Sequence, residues 1–364
     1  MKLAGLLYFS GSLLKHSGTL RRSWRVQKRR RKHLTSLAIS DGRSPATAED
    51  FRDPGLSWPE ATVVMLLYEP GERELRTLEL VREQSYPSRI SVLGIDSSPD
   101  PESAGSAAVR ELVDEWHAIP HGTFSHAGTR NLALEHCKTP VIVFLSQDAH
   151  PVHDGWLREL IRPLAQGNAV ASYGRQHPWM SDPERDATFR FLYPDVPEIR
   201  TKSDLPSLGL RTFHFSDVTS AFITEVLEDF RFPTHVPIFE DVGAAKRILD
   251  GGFPIAYVPS AAVLHSHQLS LKDILHRYMQ IGTVYERLGI FEELRASRRR
   301  PLVLDAVAAA RAMSTSTATG AKAKARGALI GIVKVFAVAA GRWRERLDST
   351  GHREMPVDSI GGRK

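Results

Sequence analysis

The chain has 364 residues, 42% of them hydrophobic and 25% charged, so it can bury the core of one large domain or two ordinary ones, which excludes a wholly disordered chain. Its single cysteine, Cys137, excludes an intramolecular disulfide and fits a reducing compartment. The net charge of +6 is uneven, because residues 1–50 and 291–364 each carry +8 and residues 51–290 carry −10, and basic ends of this kind seek phospholipid headgroups or nucleic acid.

The N-terminal stretch, residues 1–57, is rich in arginine and lysine and has no sustained apolar period, which predicts a mobile basic arm. Its apolar residues 3–14 are broken by Gly and Ser and precede no evident cleavage site, so we do not expect a signal peptide. The most apolar segment near the C-terminus, residues 328–340, contains Lys334 and is too short to cross a bilayer. We therefore expect no transmembrane segment.

Order is predicted to begin with an all-apolar strand, and strands then alternate with helices. The predicted elements are, in chain order, a strand at 61–68, a helix at 72–83, a strand at 90–96, a helix at 104–116, a short strand at 117–120, a helix at 128–136 and a strand at 141–145. The last strand has no polar alternation, as is typical of a strand buried on both faces. This rhythm with short connections predicts a mostly parallel, doubly wound α/β sheet flanked by helices.

The second half of the chain is less regular. The predicted elements there are a helix at 156–164, a strand at 169–173, a long irregular insertion at 176–210, a strand at 218–224, a helix at 242–249, strands at 255–258 and 262–265, and a helix at 270–288. Insertions of such length are usually functional. We expect one α/β domain over residues 58–290 and a basic helical extension over residues 291–364.

The extension contains a stretch, residues 321–346, in which basic and apolar residues are interleaved. This pattern predicts a helix that lies on an anionic membrane surface. The alternative is a helix packed on the domain's own surface.

Acidic residues follow several of the predicted strands, where ligands of open α/β sheets bind. Asp96 ends the second strand, Asp148 follows the strand at 141–145, and Glu240 with Asp241 opens a helix, while His265 and His267 end the last strand. Each signal is weak by itself: Asp is a common turn residue, acids favour helix N-termini, and histidines near a strand end are often structural. The ordered set is more specific than its members.

From about residue 62 to residue 289 the chain resembles inverting glycosyltransferases of the GT-A fold, family 2 type. It is most similar to the rhamnosyltransferase-like group that builds bacterial surface polysaccharides. The motifs that carry this resemblance are Gln84–Pro87, Ile95–Asp100, Phe124–Asn131, Phe144–Ala149, Tyr173–Gln176, Phe215–Asp217, Glu240–Asp241 and His265–His267.

The resemblance implies a GT-A, Rossmann-like sheet and a nucleotide-sugar donor, with Asp241 as the catalytic base. It further implies that the nucleotide is bound by Asp96, Arg130, Asn131, Gln147 and Asp148. Asp96 would bond the nucleobase, and Arg130 would pair with phosphate in a bidentate fork, although a solvated helix residue is the competing interpretation of Arg130.

A divalent metal, Mn²⁺ or Mg²⁺, is also implied, with Asp148, His265 and His267 as candidate ligands. Asp148 matches the last acid of the family's DxD motif, and His265 fits the family ligand position better than His267 does. Ser146 replaces the first acid of that motif, which leaves one carboxylate.

The resulting hypothesis is transfer of rhamnose from its thymidine-diphosphate form, with inversion, to a lipid-linked or polysaccharide acceptor. The enzyme would be cytoplasmic and peripheral on the inner face of the cell membrane. Alternatives are a UDP- or GDP-linked donor, a catalytically silent transferase, and a sugar nucleotidyltransferase, which would need a Gly-rich loop where residues 68–72 stand. Nucleic-acid binding by the basic tails is a further alternative, but aromatic residues among the basic ones are few, so we expect no nucleic acid.

Overall fold

The computed structural model describes residues 55–179, 192–266, 270–297 and 321–351. Within these ranges nine strands form one sheet in the order β3-β2-β1-β4-β8-β6-β9-β5, with β7 paired to β9. The strands are β1 (Ala61–Leu67), β2 (Ile90–Asp96), β3 (Glu115–Ala118), β4 (Val141–Leu145), β5 (His150–Pro151), β6 (Ala171–His177), β7 (Glu198–Arg200), β8 (Thr219–Ile223) and β9 (Ile255–Leu264).

Helices cover both faces of the sheet. They are α1 (Glu72–Arg82), α2 (Ala104–Arg110), α3 (His126–His136), α4 (Trp156–Ala165), α5 (Leu205–Leu208), α6 (Thr224–Phe230), α7 (Glu240–Asp250), α8 (Leu271–Arg287), α9 (Ile290–Ser297) and α10 (Ala321–Gly351). The α/β architecture predicted from the alternating pattern is confirmed.

The uninterrupted apolar strands are explained by two hydrophobic clusters, one on each side of the sheet. In β4, Val141, Val143 and Leu145 enter one cluster, whereas Ile142 and Phe144 enter the other. Successive side chains of a strand point to opposite faces, so a strand covered on both sides needs apolar residues at every position.

The two halves of the sheet differ in strand direction. Strands β3, β2, β1 and β4 are parallel neighbours, but β8 runs antiparallel to both β4 and β6. The chain reaches β8 at the edge where β4 ends, since Thr219 pairs with Leu145. The strand must therefore run back along β4, which the residue pattern of residues 218–224 does not reveal.

Several predicted boundaries are wrong. The helix expected over residues 104–116 ends at Arg110, because Trp116 lies in β3 beside Gly94 of β2. The insertion expected to be irregular contains β7 and α5, and residues 255–264 form one strand instead of two. Strand β9 remains continuous because it pairs with β6, β7 and β5 along its length.

Helix α10 packs against α8 through a close backbone approach. A side-chain carbon at Gly282 would lie 2.1 Å from the carbonyl oxygen of Val338, and one at Gly341 would lie 1.9 Å from that of Met279. Ion pairs flank the contact, including Arg342 Nε to Glu286 Oε2 at 2.7 Å. The packed-helix alternative therefore describes one face of α10.

The opposite face of α10 is apolar and exposed at helical spacing. Its exposed large apolar residues are Leu329, Ile332, Phe336, Trp343 and Leu347. None of the helices in the described ranges is long and apolar enough to cross a membrane. Residues 1–54, most of the predicted basic arm, lie outside the described residues.

Candidate functional site

A cleft of about 290 Å³ opens beyond the carboxyl ends of β1 and β4. Its walls include Tyr68 after β1, Ser97 after β2, and residues 144–148 at and beyond the end of β4. Arg130 of α3 and Asp217 before β8 also line the cleft. The cleft therefore lies where the parallel strands of an open sheet present their ligand-binding edge.

Asp148 and His265 meet at one end of this region. The Oδ1 atom of Asp148 lies 3.5 Å from Nε2 of His265, which is 8% exposed. Nδ1 of His265 lies 3.0 Å from Oε1 of Gln176, whose amide nitrogen donates to the Tyr193 hydroxyl at 2.6 Å and to Ser216 Oγ at 2.8 Å. A carbonyl oxygen can only accept, so His265 donates from Nδ1 and, in its neutral form, directs the Nε2 lone pair toward Asp148.

This pair suits a divalent cation. Two acceptor groups that face each other are stabilised by a cation between them, and a metal-ligating histidine usually donates its other ring N–H to a fixed acceptor. Imidazole and carboxylate together accept Mn²⁺ and similar ions. His267, the third metal candidate, lies outside the described residues.

Gln147 contacts the backbone where β1 ends. Its Oε1 accepts from the Tyr68 N–H at 2.8 Å, and its Nε2 donates to the Tyr68 carbonyl at 3.2 Å. Gln147 lines the cleft, but both polar atoms of its amide are engaged in these hydrogen bonds to the Tyr68 backbone. The same loop places Ser146 in the cleft wall.

A second group of charged side chains surrounds Arg130. Its Nη1 donates to Glu240 Oε1 at 2.6 Å, and its Nε lies 3.1 Å from Asp217 Oδ2 at an angle that forms no hydrogen bond. Asp241 adjoins them, since its Oδ2 accepts from the Asp217 N–H at 3.3 Å. We call Arg130, Asp217, Glu240 and Asp241 the carboxylate cluster.

The carboxylate cluster holds three acids against one guanidinium. Burial raises the pKa of Asp217, and the nearby charges of Asp241 and Glu240 raise it further, while Arg130 lowers it. Burial also raises the pKa of Asp241, assisted by Glu240 and opposed by Arg130 and by hydrogen bonds from Val242 and Asp217. One cation does not compensate three acids, so Asp217 and Asp241 retain their protons to a higher pH than free aspartates do.

Backbone strain lies next to this cluster. Phe239, directly before α7, has a φ of +58°, a left-handed conformation that a bulky residue rarely adopts. Such a conformation costs on the order of 1–3 kcal/mol and is often found at functional sites. Here it turns the chain so that Glu240 and Asp241 begin the helix beside Asp217.

The structure does not bring all predicted nucleotide-binding residues to the cleft. Asn131 points away from it, because its amide exchanges hydrogen bonds of 2.9 and 3.0 Å with the backbone of Phe232. Asp96 is fully buried and accepts hydrogen bonds from Ser98 and Ser106, so it fixes the loop after β2 while Ser97 reaches the cleft wall. Arg130 fits neither interpretation of it, a solvated helix residue or a guanidinium that is open to a phosphate. Its guanidinium lies between the carboxylates of Asp217 and Glu240.

Several site residues had no assigned role in the sequence. Asp217 and Gln176 stand in the motifs of the resemblance, but only their contacts show what each side chain does. An aromatic rim of Tyr68 and His121, with ring centroids 5.3 Å apart, was not predicted. An exposed tyrosine directly after a buried strand is the sequence signal that could have pointed to it.

Comparisons with known proteins identify glycosyltransferases as similar to this chain. The model described as Glycosyl transferase family 2 matches residues 62–231. The O-antigen chain rhamnosyltransferase RfbN of Salmonella typhimurium is 28% identical over 228 residues, which are 62% of this chain and 72% of that protein. The O-antigen chain rhamnosyltransferase WbaN of Salmonella anatum is 29% identical over 207 residues, which are 56% of this chain and 64% of that protein.

A solved structure with a similar fold is the mannosyltransferase PcManGT from Pyrobaculum calidifontis in complex with GDP-Man and Mn²⁺. The TM-score is 0.56 at 18% identity, and the match covers 92% of this chain and 96% of that one. At this identity the similarity shows the fold alone.

Proposed function

Because residues 62–231 form a glycosyl transferase family 2 domain, we propose that this chain transfers a sugar from a nucleotide-activated donor to an acceptor hydroxyl, with inversion at the anomeric carbon. The names of RfbN and WbaN point to rhamnose as the sugar, and its thymidine-diphosphate form is the proposed donor. One observation carries the proposal: the Asp148–His265 pair and the carboxylate cluster each contribute residues to the wall of the same cleft.

Asp148 and His265 are proposed to hold a divalent cation. Such an ion stabilises the charge that develops on a departing nucleoside diphosphate. The fixed orientation of His265 by Gln176 supports this assignment, and PcManGT, whose fold is similar, was solved with Mn²⁺. Ser146 stands where a second acid would bind, so we expect weak metal affinity in the absence of a diphosphate.

Asp241 is the proposed general base. Inversion by a single displacement requires a group that takes the acceptor proton on the face opposite the leaving group. The raised pKa of Asp241, caused first by burial and then by Glu240, makes it a stronger base than a solvated aspartate. Arg130, held by Asp217 and Glu240, then positions the cluster and does not need to bind phosphate.

The aromatic rim is the proposed place of the nucleobase. Tyr68 is exposed and lies beside His121 at the cleft mouth, so a flat ring can stack there. His121 is oriented by a 3.1 Å contact between its Nδ1 and the carbonyl of Ser97. Asp96 would act through the loop that carries Ser97.

The acceptor is proposed to be a lipid-linked glycan at an anionic membrane surface. The exposed apolar stripe of α10 supports this, because residues 321–346 contain seven basic residues and one acid. Basic residues near an anionic surface contribute about 1 kcal/mol each, and burial of Phe336 and Trp343 would add a part that resists salt. The sequence pattern predicts Leu329, Ile330, Val333 and Phe336 as the apolar residues of this contact. In the structure Leu329 and Phe336 are exposed, Ile330 and Val333 are half-buried, and the exposed Trp343 lies on the same stripe.

Vesicle co-sedimentation tests the membrane proposal. We expect high salt to release the protein from anionic vesicles only partly. The double variant Phe336→Ser/Trp343→Ser should be released almost fully, while Val152→Ser, which alters an exposed apolar residue on the sheet domain, should behave like wild type. Unchanged binding of the double variant would refute the stripe as a membrane contact.

A donor screen tests the function itself. Purified full-length protein is incubated with dTDP-rhamnose and with UDP- and GDP-sugars, with Mn²⁺, with Mg²⁺ or with chelator, and release of nucleoside diphosphate is measured. We expect release from dTDP-rhamnose that the chelator suppresses. Release from another nucleotide sugar would change the donor, and binding of donor without any release or transfer would identify a silent transferase.

A further inference from the structure

A second group of possible metal ligands lies away from the cleft, at the edge of the sheet. Glu115 and His117 belong to β3, the last strand on that side, and His136 is the final residue of α3. One ligand atom from each residue lies within 4.8 Å of the others. Nε2 of His117 is 2.7 Å and Nδ1 of His136 is 3.3 Å from the same carboxylate oxygen, Glu115 Oε1.

The fold explains why these side chains meet. Residues two apart on a strand share a face, so Glu115 and His117 point together, and their partners in β2 are Leu93 and Ile95. Leu93 and Ile95 belong to the same hydrophobic cluster as Ala133 and Leu134 of α3. The face of the sheet that α3 covers is therefore the face of Glu115 and His117.

The side-chain types and one of the two distances suit a zinc-like ion. With bonds of 2.0–2.1 Å, two ligand atoms of a tetrahedral zinc site are separated by about 3.3 Å. The distance from His136 to Glu115 has this value, whereas the 2.7 Å from His117 to Glu115 is a hydrogen-bond distance that would have to lengthen when a metal binds. Two imidazoles and one carboxylate with a solvent position are a known three-ligand arrangement, and the three side chains are only 30–40% exposed. Imidazole ligands favour zinc, copper, cobalt and nickel over magnesium.

We propose that Glu115, His117 and His136 form a zinc-class metal site that joins the edge strand β3 to the C-terminal end of α3. The site is separate from the Asp148–His265 pair and does not depend on the proposed transferase function. The N-terminal part of α3 carries Arg130 of the carboxylate cluster, so the metal anchors a helix that also lines the cleft. The contrasting possibility is that the imidazoles only donate hydrogen bonds to Glu115, with Lys138 as the other nearby charge.

The test uses full-length protein without a histidine tag, freed of metal by chelator and bearing Asp148→Ala so that the cleft pair is disabled. Cobalt(II) is titrated while the visible absorption of a tetrahedral complex is followed, and zinc binding is measured by calorimetry. We expect one equivalent of each metal to bind, excess Mg²⁺ not to compete, and zinc to raise the midpoint of thermal unfolding.

Substitutions decide the assignment. In the same background His117→Gln and His136→Gln should each weaken zinc binding at least tenfold and abolish the cobalt spectrum, whereas His276→Gln, at an exposed histidine of α8, should not. Glu115→Gln provides a third variant if a histidine variant fails to fold. Zinc affinity unchanged in the correctly folded variants, or no cobalt spectrum in the parent, would show that the three residues form hydrogen bonds only.

Discussion

Two carboxylates with proposed roles have different surroundings: Asp148 lines the cleft, whereas Asp241 contacts Asp217, which lines it. Asp148 faces the imidazole of His265, which Gln176 orients, so one carboxylate lies beside one imidazole nitrogen. Asp241 instead adjoins Asp217 and Glu240, with Arg130 as the cation that holds them. A bound metal ion would stabilise the first arrangement most, and a bound proton would stabilise the second most.

The difference explains why we propose different roles for two residues of the same type. A carboxylate beside an oriented imidazole offers acceptor atoms to a cation. A carboxylate buried among like charges holds a proton more firmly and becomes a stronger base. The environment, not the residue type, separates the proposed donor-side role from the proposed acceptor-side role, and the following predictions test that separation.

The largest effect is expected for Asp241→Asn. The amide cannot accept the acceptor proton, so kcat for transfer should fall by about 10²–10⁴-fold. Asp250→Asn, at the other end of the same helix, is the control and should retain most of its turnover. Turnover of Asp241→Asn close to wild type would remove this residue from the base role.

The next effect is expected for Asp148→Ala. Loss of a carboxylate that faces a cation should weaken Mn²⁺-dependent donor binding at least tenfold, as removal of metal-binding partners typically does. His265→Ala should have a smaller effect, because it removes no charge, and Asp154→Ala, on an exposed loop residue, should have none. Calorimetry with and without chelator measures this, and equal binding under both conditions would refute the metal assignment.

A smaller effect concerns pH. Because burial and Glu240 raise the pKa of Asp241, the base is protonated, and kcat falls, at a pH above the ordinary aspartate value of about 4. Glu240→Gln removes a negative charge and frees Arg130, and both changes should move the acidic limb of the kcat profile to lower pH. A limb that stays in place would mean that another group titrates.

The smallest effect concerns stability and Asp217. A carboxyl whose folded pKa is raised is protonated more readily in the folded state, so stability falls as pH rises from about 4 to the raised value. Asp217→Asn keeps an oxygen for the Ser220 hydroxyl and removes this cost. We expect it to unfold in urea with a free energy that is higher by on the order of 1 kcal/mol at pH 8 and equal at pH 4. Greater stability of wild type at pH 8 would contradict the raised pKa.

Local patterns were enough to predict much of the fold. Uninterrupted apolar runs identified β1 and β4 because both faces of these strands are buried, and the acids after strands pointed to the correct edge of the sheet. The meeting of Asp148 with His265 followed from the resemblance, and the structure places them 3.5 Å apart. Their roles remain predictions.

The remaining features depend on contacts between distant parts of the chain. Arg130 is held by Asp217 and Glu240, and Asn131 by Phe232, which lie about a hundred residues later. The direction of β8 depends on the edge of the sheet at which the preceding insertion ends, which is the edge where β4 also ends. The two faces of α10 could not be separated by sequence, because apolar residues stand on both and only the crossing of Gly282 and Gly341 decides which face packs.

The proposed division of roles between Asp148 and Asp241 is tested most directly by equilibrium binding of the donor to Asp241→Asn. Calorimetry is performed with Mn²⁺ and the identified nucleotide sugar, beside Asp148→Ala and wild type. We predict that Asp241→Asn binds the donor with wild-type affinity while turning over at most a hundredth as fast, because the base acts on the acceptor. Donor binding by Asp241→Asn that is weakened as much as that of Asp148→Ala would contradict the separation.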